Sequence, residues 1–239
     1  VTAFKTALPD FSSDGSSPVT NSNDSSAIGA PTLDIGVGLF RGLSHGLLAV
    51  DALGSIVAIP NSIDHIKVDP GASSIGQASY KVGYGARVGI LRGSFPIPSV
   101  TASWMHREIP KVTIGDTIGG DNFAYEMQVK STSLRLMAGW HILFFDIGGG
   151  IGHDKYSGES RIFFNNPDPG NPGVETVPIP FDVSRSTVFA DVGMNLLFLK
   201  IGAEIGKQGG NDLATTNQFQ GFDVKKGFTY ASANVRFQF

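Results

Sequence analysis

The chain has no cysteine among its 239 residues. A disulfide framework, thiolate metal sites and cysteine nucleophiles are therefore excluded. A chain without thiols is also compatible with passage through an oxidising periplasm. Charged residues are scarce at 16%, and a net charge of −3 with no Lys/Arg run argues against nucleic acid as a partner. Long hydrophobic runs are missing too. No segment approaches the roughly 20 apolar residues of a membrane-spanning helix; the best, 142–151 and 194–201, are interrupted by Asp146 and Lys200. Val1 opens a segment with neither a basic start nor a long apolar stretch. No signal peptide is expected on that basis, and a secreted protein would be read here in its mature form. An all-β chain remains, either soluble or embedded in a membrane by its strands.

Glycine (31 residues) and phenylalanine (17) are plentiful, and apolar residues recur with a period of two. Tyr80, Val82, Tyr84, Ala86, Val88 and Ile90 alternate with Lys81, Gly83, Gly85, Arg87 and Gly89. Similar alternation runs through 33–40, 48–56, 100–107, 133–138, 143–152, 188–196 and 199–206. In the last segment Thr229, Ala231, Ala233, Val235, Phe237 and Phe239 oppose a largely polar face of Phe228, Tyr230, Ser232, Asn234, Arg236 and Gln238. Side chains of a strand point alternately to its two faces, so each segment reads as a strand with one apolar face. The connections alternate in length. Short ones are expected near 42–46, 93–98, 139–142 and 196–199. Long polar ones are expected near 9–31, 59–77, 109–122, 156–180 and 208–225.

Alternation, loop asymmetry and the ending Phe237-Gln238-Phe239 together resemble bacterial outer-membrane β-barrel proteins over nearly the whole chain. The resemblance implies one antiparallel up-and-down transmembrane β-barrel spanning residues 1–239 and located in the bacterial outer membrane. It implies lipid as the surrounding partner, and the barrel assembly machinery as a transient partner that reads the closing strand. The long connections become extracellular loops, and the segment from Thr2 to Leu8 supplies the upward strand an even count requires. Ten strands are expected, with 8 or 12 as alternatives. No family active site comes with the resemblance.

A small barrel has little interior room, so the bulky apolar face is expected outward and the Gly/Ser/charge face inward. The inward charges nearly balance: Lys81, Arg87, Arg107, Arg135, Lys200 and Arg236 against Asp34, Asp51, Asp146, Asp191 and Glu204. Buried charges need partners, so an ion-pair network filling the lumen is expected. A narrow water-filled pore lined by the same groups is the rival. Tyr80, Trp104, Trp140, Phe198, Phe237 and Phe239 are expected near the two membrane interfaces, as an aromatic girdle and, at the last two, an assembly signal.

Enzymatic motifs are weak. The glycines at 83–89 and 148–152 lack the spacing and context of nucleotide loops and better serve neighbouring lumen side chains. His65 beside Asp64 and His153 beside Asp154 fall at outer strand ends or in outer loops. They resemble weakly the surface proteases among such barrels, but adjacent strand residues face opposite ways, and solvated loop residues are expected instead. His106 lacks an outward serine partner for lipid hydrolysis and reads as an interfacial histidine. The proline-rich 156–180 connection is the candidate partner surface, while Asp14–Asp24 matches no defined calcium loop. The expected function is a non-enzymatic barrel with no cofactor, whose outer loops bind a protein partner or shield the surface. A narrow channel or carrier for small or apolar solutes comes second, and a surface hydrolase third.

Overall fold

The computed structural model describes residues 2–9, 19–20, 22–30, 32–43, 47–59, 79–114, 123–165, 173–210, 218–219 and 226–237. They form thirteen strands: β1 (Thr2–Pro9), β2 (Val19–Thr20), β3 (Ser22–Ala30), β4 (Thr32–Phe40), β5 (Ala49–Ile59), β6 (Ser79–Leu91), β7 (Ser99–Ile114), β8 (Phe123–Ile142), β9 (Phe145–Asn165), β10 (Val174–Leu196), β11 (Leu199–Gln208), β12 (Gln218–Phe219) and β13 (Phe228–Phe237). None of the described residues is helical. Eleven strands form one sheet in the order β3-β1-β13-β11-β10-β9-β8-β7-β6-β5-β4, and β2 and β12 pair separately. Every ladder of the large sheet is antiparallel, and from β4 to β11 each strand pairs with its predecessor in the chain, the up-and-down pattern.

The sheet curls into a half-barrel. Strands three ladders apart lie about 14 Å apart in a flat sheet. Yet Arg107 on β7 reaches Asp34 on β4 at 3.2 Å, and Arg135 on β8 reaches Glu204 on β11 at 3.2 Å. These side chains converge on the concave face. Among the described residues the core is small: the buried apolar ones are Val57, Met105, Ala124, Val183, Phe189 and the fully enclosed Pro110.

Two hairpins turn through only two residues, Leu143-Phe144 and Leu197-Phe198, between the register pairs Ile142–Phe145 and Leu196–Leu199. Their first turn residue has positive φ, 57° at Leu143 and 53° at Leu197. Tight hairpins favour that sign because it matches the twist of the strands, although a left-handed leucine costs roughly 1–2 kcal/mol.

Several expected loops are strand instead. The connection expected at 156–180 shrinks to 166–173, because β9 runs on to Asn165 and β10 begins at Val174. Pro178 and Pro180 are compatible with this because β11 ends at Gln208, opposite Thr187. The β10 ladder to β11 thus stops below them, and prolines are tolerated on such an edge. The connection expected at 109–122 shrinks to 115–122, with Pro110 lying within the irregularity between Ile109 and Val112. Within 9–31, β3 pairs with β1 over eight positions, and β2 pairs with β12 from the 208–225 connection. Residues 60–78, which hold Asp64 and His65, lie outside the described residues, as do Asp14 and Phe239.

Candidate functional site: a polar concave face behind an apolar wall

Four ion pairs on the concave face join charges from the set read as inward. Arg87 binds Asp51 through Nε at 2.8 Å and its terminal nitrogen at 2.6 Å. Arg107 donates to Asp34 and to Ser55 Oγ at 3.1 Å. Arg135 donates to both Glu204 oxygens at 3.2 Å, and its guanidinium sits 5.0 Å from the Phe189 ring centre. Lys200 pairs with Asp146, whose carboxylate also meets His141 Nδ1 and Asn195 Nδ2 at 2.8 Å each.

The other members of the expected network behave differently. Lys81 approaches Glu108 at 3.6 Å rather than an expected lumen carboxylate, and Glu108 also meets Lys130 at 3.7 Å. Asp191 lies opposite Glu204 in the β10–β11 register, and its Oδ1 is buried without a hydrogen-bond partner among the described residues. Arg236 stands opposite Lys200 in the β11–β13 register and makes no ion pair among the described residues.

A second polar group was not legible. Asp154, expected at an outer strand end, is 3% exposed in the middle of β9. Thr187 Oγ1 donates to its Oδ2 at 2.7 Å and Gln208 Nε2 at 3.0 Å, while Gln208 also donates to the Tyr156 hydroxyl. Tyr230 donates to Glu204 at 2.8 Å, joining the Arg135 pair to β13. The reason for the error is the length of β9: its continuation past Tyr156 puts Asp154 inside the sheet.

Glycines opposite these side chains make room for them. A Cβ on Gly148 would lie 2.7 Å from Asp191 Oδ1, one on Gly150 2.7 Å from Phe189 Cζ, one on Gly202 2.9 Å from Asn234 Oδ1, and one on Gly206 2.5 Å from the Tyr230 hydroxyl. Small residues on one strand thus accommodate large ones on the next, which is how a narrow interior fills.

The convex face is apolar and open. Leu33, Ile35, Val37, Tyr80, Val82, Tyr84, Leu134, Leu136, Ile147, Ile151, Val188, Val192, Ile201, Ile205 and Val235 are all exposed. Of the expected girdle, Tyr80 is 73% exposed, and Trp104, Trp140, Phe198 and Phe237 are also open. Trp104 meets the Tyr84 ring edge-on at 5.7 Å, and Trp140 Nε1 donates to the Pro96 carbonyl at 2.8 Å.

This wall has two borders. Going up β7 to β11, the first polar outward residue is His106 on β7, Thr132 on β8, His153 on β9, Ser186 on β10 and Lys207 on β11. His106 and Thr132 are register partners, with His106 Nδ1 3.0 Å from Thr132 Oγ1. Lys207 stands four residues lower in the register than His106. The border therefore falls one residue per ladder, about 3.4 Å for every 4.8 Å across the sheet, a lean of about 35°. The turns fall in parallel: the β8–β9 hairpin closes level with Met194, and the β10–β11 hairpin closes two residues lower, two ladders away. Between the borders lie nine residues on β9 (Phe145–His153) and nine on β11 (Leu199–Lys207). At that tilt the band is about 25 Å high.

A recurring unit connects the wall and the concave face. Leu48, Leu143 and Leu197 all have positive φ. Each is followed three residues later by an ion-paired inward charge: Asp51, Asp146 and Lys200. Leu-x-x-charge was the available sequence signal for where β5, β9 and β11 begin.

No protein-family model, curated protein or solved structure matches this chain. What can be said of its function therefore rests on its own geometry. Groups of three or more His, Cys, Asp or Glu side chains able to hold a metal are absent among the described residues.

Proposed function

We propose that the chain is an integral β-barrel of the bacterial outer-membrane type, with a lumen closed by its own side chains. The single observation that carries this reading is the apolar band: about 25 Å high, bounded by two parallel borders, and crossed by strands leaning about 35°. Transmembrane barrels show the same band height and a 35–45° tilt. A soluble sheet would have no reason to expose its bulky face and enclose its charges.

Strand direction supports a closed ring. β3 and β4 run the same way and are separated only by Pro31. Taken as one stave, they pair with β1 through the upper half and β5 through the lower half. The ring then has ten staves, the number the sequence predicts. Paired charges and glycine-accommodated side chains on the concave face support a filled lumen rather than a pore. Above the band, β7 to β10 continue as a polar-faced sheet, with Lys111–Glu126 and Lys155–Asp182 pairs at 2.8 and 2.9 Å. This raised sheet is the surface we assign to a protein partner or to shielding, in place of the long loops expected from sequence.

Single-channel recording in a planar bilayer tests the lumen. The wild-type chain is expected to be electrically silent over a wide voltage range, and Arg87→Ala or Arg135→Ala to introduce leak. A stable, ion-selective open state in the wild type would overturn the filled lumen in favour of the channel reading.

A further inference from the structure

The short-turn end of the sheet has an unusual surface. Its turns carry Leu143 at 82% exposure, Leu197 at 98% and Phe95 at 72%, with Phe144, Phe198 and Leu48 also open. A turn in water normally places Gly, Asn or Asp at positive φ. Here Leu48, Leu143 and Leu197 occupy that conformation. No carboxylate lies in the described turn residues; the nearest, Asp51 and Asp146, are inward and paired. Arg41 and Arg92 flank the turns, are exposed, and make no ion pair among the described residues. The apolar tips continue the convex wall without a polar step, through Ile142, Phe145 and Leu196. The opposite border is marked by His106, His153 and Lys207.

We infer that this end is a membrane-contact surface in its own right: the turn leucines and phenylalanines lie within the headgroup–acyl boundary of the bilayer, and Arg41 and Arg92 meet lipid phosphates. The inference rests on the barrel reading above and goes beyond it, because it places the hairpin tips in lipid rather than in water. Lipid is favoured over a protein partner because the tips are separate points along a tilted rim, continuous with the wall and, among the described turn residues, flanked by cations and no carboxylate. A protein docked across the end would need one contiguous patch. Leucine and aromatic tips beside arginines suit the interfacial zone, where apolar side chains and cations are accommodated together.

The absence of cysteine makes the test direct, because a single introduced cysteine carries a single spin label. Labels at Leu143→Cys and Leu197→Cys are compared with Ile151→Cys in the wall and Lys155→Cys above it, in vesicles of phosphatidylcholine and phosphatidylglycerol. Collision with dissolved oxygen, which concentrates in lipid, is measured against collision with a water-soluble nickel chelate. The two tip labels are expected to show an oxygen-to-nickel ratio several-fold above that of the Lys155 site and to approach the Ile151 value. Tip labels as open to nickel as the Lys155 site, with Ile151 still protected, would overturn the inference and leave the barrel standing, returning the tips to water or to a protein partner. An Ile151 label open to nickel would instead overturn the barrel reading, and this inference with it. For the arginines, Arg41→Gln with Arg92→Gln is expected to abolish a several-fold preference for insertion into phosphatidylglycerol vesicles. An unchanged preference would remove them from the contact.

Discussion

Removing the Arg135 side chain probes the concave face at its most connected point. Arg135 donates to both Glu204 oxygens, lies against the Phe189 ring, and spans three ladders from β8 to β11. Its side chain is 34% exposed and that of Glu204 is 17%. Exposed ion pairs contribute about 0–1 kcal/mol, whereas stripping one partner from a buried pair costs about 3–5 kcal/mol. The half-buried setting puts Arg135→Ala between these limits, near 2 kcal/mol from the charge pair. Lost contact with Phe189 adds about 0.5–1 kcal/mol. Glu204 would then face Asp191 across the β10–β11 ladder with only the Tyr230 hydroxyl to compensate it. Reversible denaturant unfolding from lipid vesicles measures the loss. In a double-mutant cycle with Glu204→Ala, a coupling energy of about 2 kcal/mol is expected. If the two substitutions are additive within about 0.5 kcal/mol, the pair is no more than a surface contact, and the claim of a closed, ion-paired interior fails.

Two further pairs of substitutions separate the faces. Gly150→Ala places a methyl group against the Leu136 carbonyl oxygen and 2.7 Å from Phe189 Cζ, whereas Gly54→Ala meets nothing within 4 Å. The first is expected to cost about 1–3 kcal/mol and the second almost nothing in the same unfolding assay; equal effects would mean the interior is loosely filled. Leu136→Arg puts a charge at mid-height on the convex wall and is expected to cost about 2–4 kcal/mol in vesicles, while Gln128→Arg, above the band, is expected to be tolerated. A tolerated Leu136→Arg would argue that the wall does not face lipid.

Much of the sheet was legible because period-two alternation fixes which residues share a face, whatever the strand boundaries. Arg87, Arg107, Arg135 and Lys200 meet the carboxylates set against them for that reason. Partner choice was less legible because it depends on tilt. Glu204 lies four residues below the register level of Arg135, three ladders away, and no spacing along the sequence encodes that displacement. Lys81 meets Glu108 instead of an expected lumen carboxylate. The upper strands were hidden by their prolines. Pro110, Pro178 and Pro180 read as loop residues, yet one lies within a ladder irregularity and two sit on a strand whose β11 ladder has already ended. Asp154 followed the same error, since a strand taken to end near Tyr156 leaves it at the rim.

The tilted apolar band is the central claim, and polarised infrared spectroscopy of the chain in oriented bilayers tests it most directly. The amide I dichroism is expected to give antiparallel strands leaning about 35° from the membrane normal, within the range of transmembrane barrels. A chain that stays soluble and monomeric without detergent, or one whose strands lie flat on the bilayer, would contradict it.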